Sequence, residues 1–317
     1  MANALASRLV LTVALVLCAA PPALAQFDAL LPGIPDSANV LVIANARAIL
    51  ASPLANQQNW RESHERLFAY GQTSIPPNTD LMIVASELDL EFVEPRWTVA
   101  MLQVTESPDL EAIANNQQGR REMVAGKPAI SLPDDSYLVR FDTNVFGSMA
   151  PADRQAVARW IRDTKTGEAP NLSSYLTEAY RYVARQGTDA VLAINLRDAV
   201  SVADVRRRLE ESDSDYLQTA GLDKAQLARE LASIQGVMLG VNFDTQQTGT
   251  IIVDFGQDIS TLAPLAKPML LKVLEDYGAL IDEFKDWDVK VDNELHRVSL
   301  RGRLGTTGRR RILSLIT

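Results

Sequence analysis

Cysteine occurs once in the 317 residues, at Cys18, and histidine only twice, at His64 and His296. Once the first 25 residues are removed, as argued below, no thiol is left for a disulfide, a thiolate metal site or a cysteine nucleophile. The two imidazoles stand far apart in sequence and form no His-Glu-x-x-His or paired-His spacing, so no metal site and no resident cofactor is expected. Long apolar runs are equally scarce. The longest, Leu9 to Ala20, has twelve residues and ends at Pro21-Pro22, whereas a membrane-spanning helix needs roughly 20.

That run sits behind Arg8 and ahead of Ala23-Leu24-Ala25, which makes a charged start, a hydrophobic middle and a small-x-small end. The three parts read as a secretory signal peptide over 1–25, cleaved between Ala25 and Gln26, with export to the periplasm or beyond. A lipid anchor on Cys18 is the rival reading, but Cys18 follows Leu17 and not a small residue. Removal of this segment takes one arginine and no acid from the net charge of −9, leaving 292 residues at −10. An acidic, exported chain of this length repels nucleic acid as a whole and can fold by burial alone, with no transmembrane segment in its mature part. One basic spot runs against that balance: Arg297, Arg301, Arg303, Arg309, Arg310 and Arg311. It reads either as solvated helix and strand faces or as a dock for an anionic envelope partner.

Along the chain, β-branched runs bounded by turn residues alternate with apolar residues at helical spacing. Strands are expected at 39–45, 80–88, 96–104, 190–196, 236–244 and 249–257, and hairpins at 128–142 and 287–304. Helices are expected at 60–71, after a Ser107-Pro108 start, at 152–163, at 173–187, at 202–212, at 223–234, and over a long stretch from about 262 to 284. The second half repeats the order of the first. Asn45-x-Arg47 matches Asn195-x-Arg197 at a shift of 150, "MIVASELD" matches "MLGVNFD" at 155, and "RWTVAML" matches "GTIIVDF" at 153. "ISLPDDSYLVRF" matches "VKVDNELHRVSL" at 159, and "ADRQAVARWI" matches "TGRRRILSLI" at 155. Matches in one order at nearly one shift indicate an internal duplication.

The expected fold class is therefore α+β: two tandem ferredoxin-like units (β-α-β-β-α-β with an extra hairpin and helix) whose mainly antiparallel sheets are covered by helices. The units are placed at 26–168 and 169–317, with the boundary in "TKTGEAPNL" and the option that both pack as one pseudo-twofold body. This layout, the signal peptide, "LLPGIPDSANVLVIANARAILASPLA" and the ending "GRRRILSLI" together resemble a group of uncharacterised exported proteins of planctomycete bacteria. The resemblance implies export and this fold, and carries no functional residue across.

No catalytic spacing emerges. Gly-x-Ser-x-Gly and Ser-x-x-Lys are missing, "GRREMVAGK" separates its glycines too widely for a phosphate loop, and "EESDSD" lacks the glycine an EF-hand needs, so these read as turns and a solvated loop. What remains is the repeated Asn-x-Arg. In one reading Asn45, Arg47, Asn195 and Arg197 face a shared groove and bind an anionic or amide-bearing partner. In the other, Asn caps the strand-to-helix turn and Arg covers the sheet edge. The expected function is a non-enzymatic binding or structural protein of the envelope with a macromolecular or anionic partner. The alternatives are a hydrolase with an unsignalled site between the repeats, using His64 or His296, and a carrier enclosing a lipid.

Overall fold

A computed structural model describes residues 27–73, 75–164, 171–218, 221–243, 247–276, 278 and 280–305. The signal segment and the final stretch 309–316 lie outside the described residues, as does most of the expected boundary. Twelve strands are described: β1 (Val40–Ala44), β2 (Thr79–Asp89), β3 (Glu94–Val104), β4 (Arg120–Val124), β5 (Lys127–Leu132), β6 (Ser136–Arg140), β7 (Val145–Ala150), β8 (Ala190–Asn195), β9 (Ile234–Asn242), β10 (Thr248–Phe255), β11 (Asp288–Asp292) and β12 (Arg297–Arg303). Helices α1 (Ala46–Ala51), α2 (Pro53–Gln57), α3 (Trp60–Ala69) and α4 (Leu110–Asn116) belong to the first half, as does α5 (Arg154–Asp163). Then come α6 (Ser174–Gln186), α7 (Val202–Glu211), α8 (Lys224–Ala232) and α9 (Ala266–Asp276).

All twelve strands join one sheet in the order β11-β12-β10-β9-β8-β1-β2-β3-β7-β6-β5-β4, and every described pairing is antiparallel. The α+β class holds, but the ferredoxin-like order does not appear in this sheet. A split β-α-β unit needs parallel strands joined by a helical crossover, whereas β1-β2-β3 and β8-β9-β10 are each a run of sequential antiparallel neighbours. The two halves meet where β1 pairs with β8, Val40 opposite Ile194 and Val42 opposite Leu192, so one continuous sheet passes through both.

Period-two alternation sends Leu81, Ile83 and Ala85 of β2 to one face and leaves their neighbours half-exposed on the other. On that first face Leu41, Ile43, Val99, Met101, Val191 and Met238 pack under Val157, Trp160 and Ile161 of α5 and Leu176, Ala179 and Val183 of α6. Phe27, Leu30, Leu31 and Ile34 close the same layer. Local sequence fixes both helices. Asp153 caps α5 by accepting from the Gln155 and Ala156 N–H groups; Ser173 caps α6 and Gly187 ends it at φ 60°. Gly147 of β7 lets α5 approach, since a Cβ there would lie 2.5 Å from the Trp160 ring. The opposite face carries two clusters, one around Phe243, Ile251, Leu300 and Trp287 beneath α8 and α9, the other around Leu102, Ile130 and Phe146 beneath α4.

Four local expectations need correction. "GRREMVAGK" is not only a turn: β4 leads through Ala125 and Gly126, at φ 46° and 84°, into β5 as a two-residue hairpin. The long helix at 262–284 is broken into a 3-10 turn at Ala263–Leu265, α9 and a second 3-10 turn at Asp282–Asp286. Pro264 and Pro268 confine the regular part, as prolines near a helix start do. Asp109, not Ser107, caps α4. Finally, β7 carries no strong alternation and was not anticipated, yet it is β3's neighbour, just as β12 is β10's. By position in the sheet the partner of the β11-β12 hairpin is therefore β6-β7, not β5-β6.

Candidate functional site

The repeated Asn-x-Arg pairs do not share a groove. Asn45 follows the last residue of β1, its N–H bonded to the Asp189 carbonyl, while Asn195 ends β8 with its N–H bonded to the Asn39 carbonyl. Antiparallel pairing thus puts them at opposite ends of the ladder, about six residues or 20 Å apart. Asn45 Oδ1 accepts from the Ala48 N–H at 2.9 Å and caps α1. Arg47 is exposed and forks onto Asp80, Nε donating to Oδ1 at 2.8 Å and Nη2 to Oδ2. Asn195 Oδ1 accepts from the Arg197 N–H at 3.4 Å, and Arg197 Nε donates to Gln235 Oε1 at 2.8 Å. All four side chains thus have partners within the protein: the asparagines a few residues along the chain, the arginines 33 and 38 residues away.

The histidines are no better placed for chemistry. His64 on α3 has Nε2 3.0 Å from the Ile75 carbonyl, and His296 sits in the β11-β12 turn at φ 50°. Neither lines any of the four cavities described. Among the described residues, no group of three His, Cys, Asp or Glu could hold a metal, and no helix is long and apolar enough to cross a membrane. The basic spot is split. Arg297, Arg301 and Arg303 all lie with Lys290 along an open groove of 660 Å³ over β10, β12 and β11, but Arg297 is forked onto Asp254. Arg309, Arg310 and Arg311 lie outside the described residues.

A second cleft of the same volume, 660 Å³, is bounded by the turn 32–37, the start of β3 and the C-terminal end of α5. Its indoles come from residues distant in sequence. Trp97 stands half-buried at the edge of β3, where its Nε1 donates to Glu87 Oε2 at 3.0 Å. Trp160 is 5% exposed; its Nε1 donates to the Gly33 carbonyl at 2.7 Å and its ring meets Phe141 edge-on at 4.9 Å. Both indole N–H groups are therefore committed to the protein, and the apolar ring surface the cleft receives comes mainly from the half-buried Trp97.

Around those rings stand Arg159, Arg162 and Asp163 of α5 and Asp36 of the turn. Positions 159, 162 and 163 fall on one helix edge because residues three and four apart are neighbours. Among the described residues, neither Arg159 nor Arg162 has a salt-bridge partner. Asp36 Oδ1 accepts from the Asn171 N–H at 3.3 Å. Among the described residues the cleft thus offers two guanidinium groups without ion-pair partners, carboxylate acceptors and the Trp97 ring at one opening, which suits binding, and no paired nucleophile and base.

Glu87 braces the cleft's outer wall. Burial pushes its carboxyl up, but hydrogen bonds from Ser37, Trp97 and Arg96 and the Arg96 charge outweigh that, so it titrates below the usual carboxylate range. A folded-state value below the unfolded one contributes stability that is present above the unfolded value, near 4.3, and is lost as pH falls through the folded one. Trp97 emission, read as the difference between wild type and Trp97→Phe, is expected to change as pH drops below about 4, and Glu87→Gln is expected to remove that transition. A transition unaltered in Glu87→Gln would assign it to another acid.

Sequence reasoning missed this site. Trp160 was legible as the buried face of α5, and Trp97 as part of a strand, but nothing local shows that residues 33, 97 and 160 converge. The one available signal was Arg159 and Arg162 flanking an aromatic on a helix, a pattern too common to single out.

No protein-family model and no curated protein matches this chain. Among solved structures, TP0453 in crystal form I aligns with a TM-score of 0.52 at 8% identity, over 90% of this chain and 97% of TP0453. Crystal form III of TP0453 gives 0.51 at 8% identity, over 90% and 96%. At that identity the likeness is one of fold: this chain shares with TP0453 an α+β architecture in which helices pack on a large antiparallel sheet.

Proposed function

We propose that this chain is an exported, non-enzymatic binding protein of the cell envelope, and that the cleft beside α5 is where it holds its ligand. One observation carries the reading: two arginines with no salt-bridge partner among the described residues and the half-buried Trp97 ring converge on a single open cavity of 660 Å³. Export is supported by the signal-peptide pattern over 1–25 and by the resemblance to exported planctomycete proteins. The same reading takes the two halves as products of a duplication. A shift of 150 carries Val42 to Leu192, and those two residues are partners in the β1-β8 ladder, as a dyad through that pair requires.

The test is a thermal-shift screen of the purified chain against metals, glycans, lipids and nucleotides. A ligand selective for the folded state raises the melting temperature by mass action, about 2.7 kcal/mol at a hundred times Kd. The expected result is a saturable rise with one class that disappears in Arg159→Glu/Arg162→Glu. A silent screen, or a rise indifferent to that double substitution, would dispose of the cleft as the site. Turnover of a substrate, abolished by one change in the cleft, would overturn the non-enzymatic part.

A further inference from the structure

The side chains around the cleft also narrow what it accepts. A ligand stacked on the half-buried Trp97 must present a carbon face, because that indole's N–H is committed to Glu87; Trp160, 5% exposed, lines the cleft without offering a face to stack on. Arg159 and Arg162 call for an anion, preferably a carboxylate that the guanidinium fork can grip. Those two demands alone fit an aromatic acid as well as an acidic sugar. Asp36 and Asp163 decide between them. A carboxylate accepts hydrogen bonds and donates none, and it repels every anion alike, so it favours the anion that also brings hydrogen-bond donors of its own. Hydroxyl groups supply such donors.

We propose that the cleft binds an acidic saccharide, a uronate-containing glycan. Its ring C–H face lies on Trp97, its carboxylate is held by Arg159 or Arg162, and its hydroxyls donate to Asp36 and Asp163. Arg159, Arg162 and Asp163 share one edge of α5 beside the cleft, so the grips for the charge and for a hydroxyl lie within one helical turn. This inference rests on the reading of the cleft as a binding site.

The experiment is calorimetric titration of the full chain with three probes: an oligogalacturonate, a neutral malto-oligosaccharide and indole-3-acetate. Oligogalacturonate is expected to bind saturably and the neutral sugar at least roughly tenfold more weakly, the size of one lost charge-assisted contact. Trp97→Ala and Arg159→Glu/Arg162→Glu should each weaken the uronate by a similar factor with thermal melts showing a folded protein. Asp36→Ala/Asp163→Ala is the discriminating variant. It should weaken the uronate yet tighten indole-3-acetate, because it removes hydroxyl acceptors and repulsive charges together.

Indole-3-acetate binding without uronate binding would overturn the saccharide assignment and leave the binding cleft standing. Uronate binding indifferent to Trp97→Ala would also overturn it. Silence from all three probes, together with a silent thermal-shift screen, would remove both inferences.

Discussion

Glu230→Ala is expected to destabilise the fold by about 3–5 kcal/mol, among the largest effects available from one side chain outside the hydrophobic clusters. Glu230 is fully buried on α8, at 0% exposure, and its carboxylate is completely used. Oε1 accepts from the Thr261 N–H at 3.2 Å and from Gln226 Nε2 at 3.0 Å, and Oε2 accepts from the Leu262 N–H at 2.7 Å. The residue thereby ties the loop after β10 to α8, holding Ile259 and Leu262 in the cluster on that face. Alanine would strand those donors in a space water does not reach, and an unmade buried hydrogen bond costs more than a made one contributes. Glu230→Gln keeps one acceptor and turns an amide toward a donor, so it should fall between. Denaturant unfolding measures both, with exposed Glu211→Ala as a control. A Glu230→Ala midpoint within about 1 kcal/mol of wild type would show that the loop is anchored by apolar packing alone.

The second large effect is Trp160→Ala, expected at about 3–5 kcal/mol, the usual range for emptying a buried tryptophan site. Trp160 joins α5 to the sheet, to Phe141 and to the N-terminal turn through Gly33. Deleting it removes ring packing and leaves the Gly33 carbonyl unpaired. Trp160→Phe separates the two contributions: it keeps a ring in the core but cannot donate, and should cost about 1–3 kcal/mol. Equal losses in the alanine and phenylalanine variants would assign the whole effect to the hydrogen bond. Because Trp160 also lines the cleft, Trp160→Ala should weaken ligand binding even under conditions where the variant stays folded. Trp97→Ala, at the half-buried edge, should weaken binding roughly tenfold with little loss of stability.

How far the sequence reaches can be judged residue by residue. In β2, alternation of Leu81, Ile83 and Ala85 with half-exposed neighbours is a local property, so the strand and its inward face were legible. The inward face of α5 was legible for the same reason, through Val157, Trp160 and Ile161. Asn45 was legible as a cap, since the N–H that donates to its side chain lies three residues away. The strand β7 was not, because Gly147 interrupts its pattern to admit Trp160, a requirement set by a helix thirteen residues further on.

The α+β class, most strands, the helix faces, the acidic balance and the poverty in thiols and imidazoles are legible in the chain alone. Each is a property of composition or of neighbours within a few residues. That the two halves form one antiparallel sheet and not two ferredoxin-like units is not legible there, because every open strand edge offers the same N–H and C=O groups and the choice of partner leaves no local mark. Long-range packing also sets where a ligand can sit. A cleft is made by side chains brought together from residues 36, 97 and 160, and their convergence depends on how α5 and the N-terminal turn pack on the sheet.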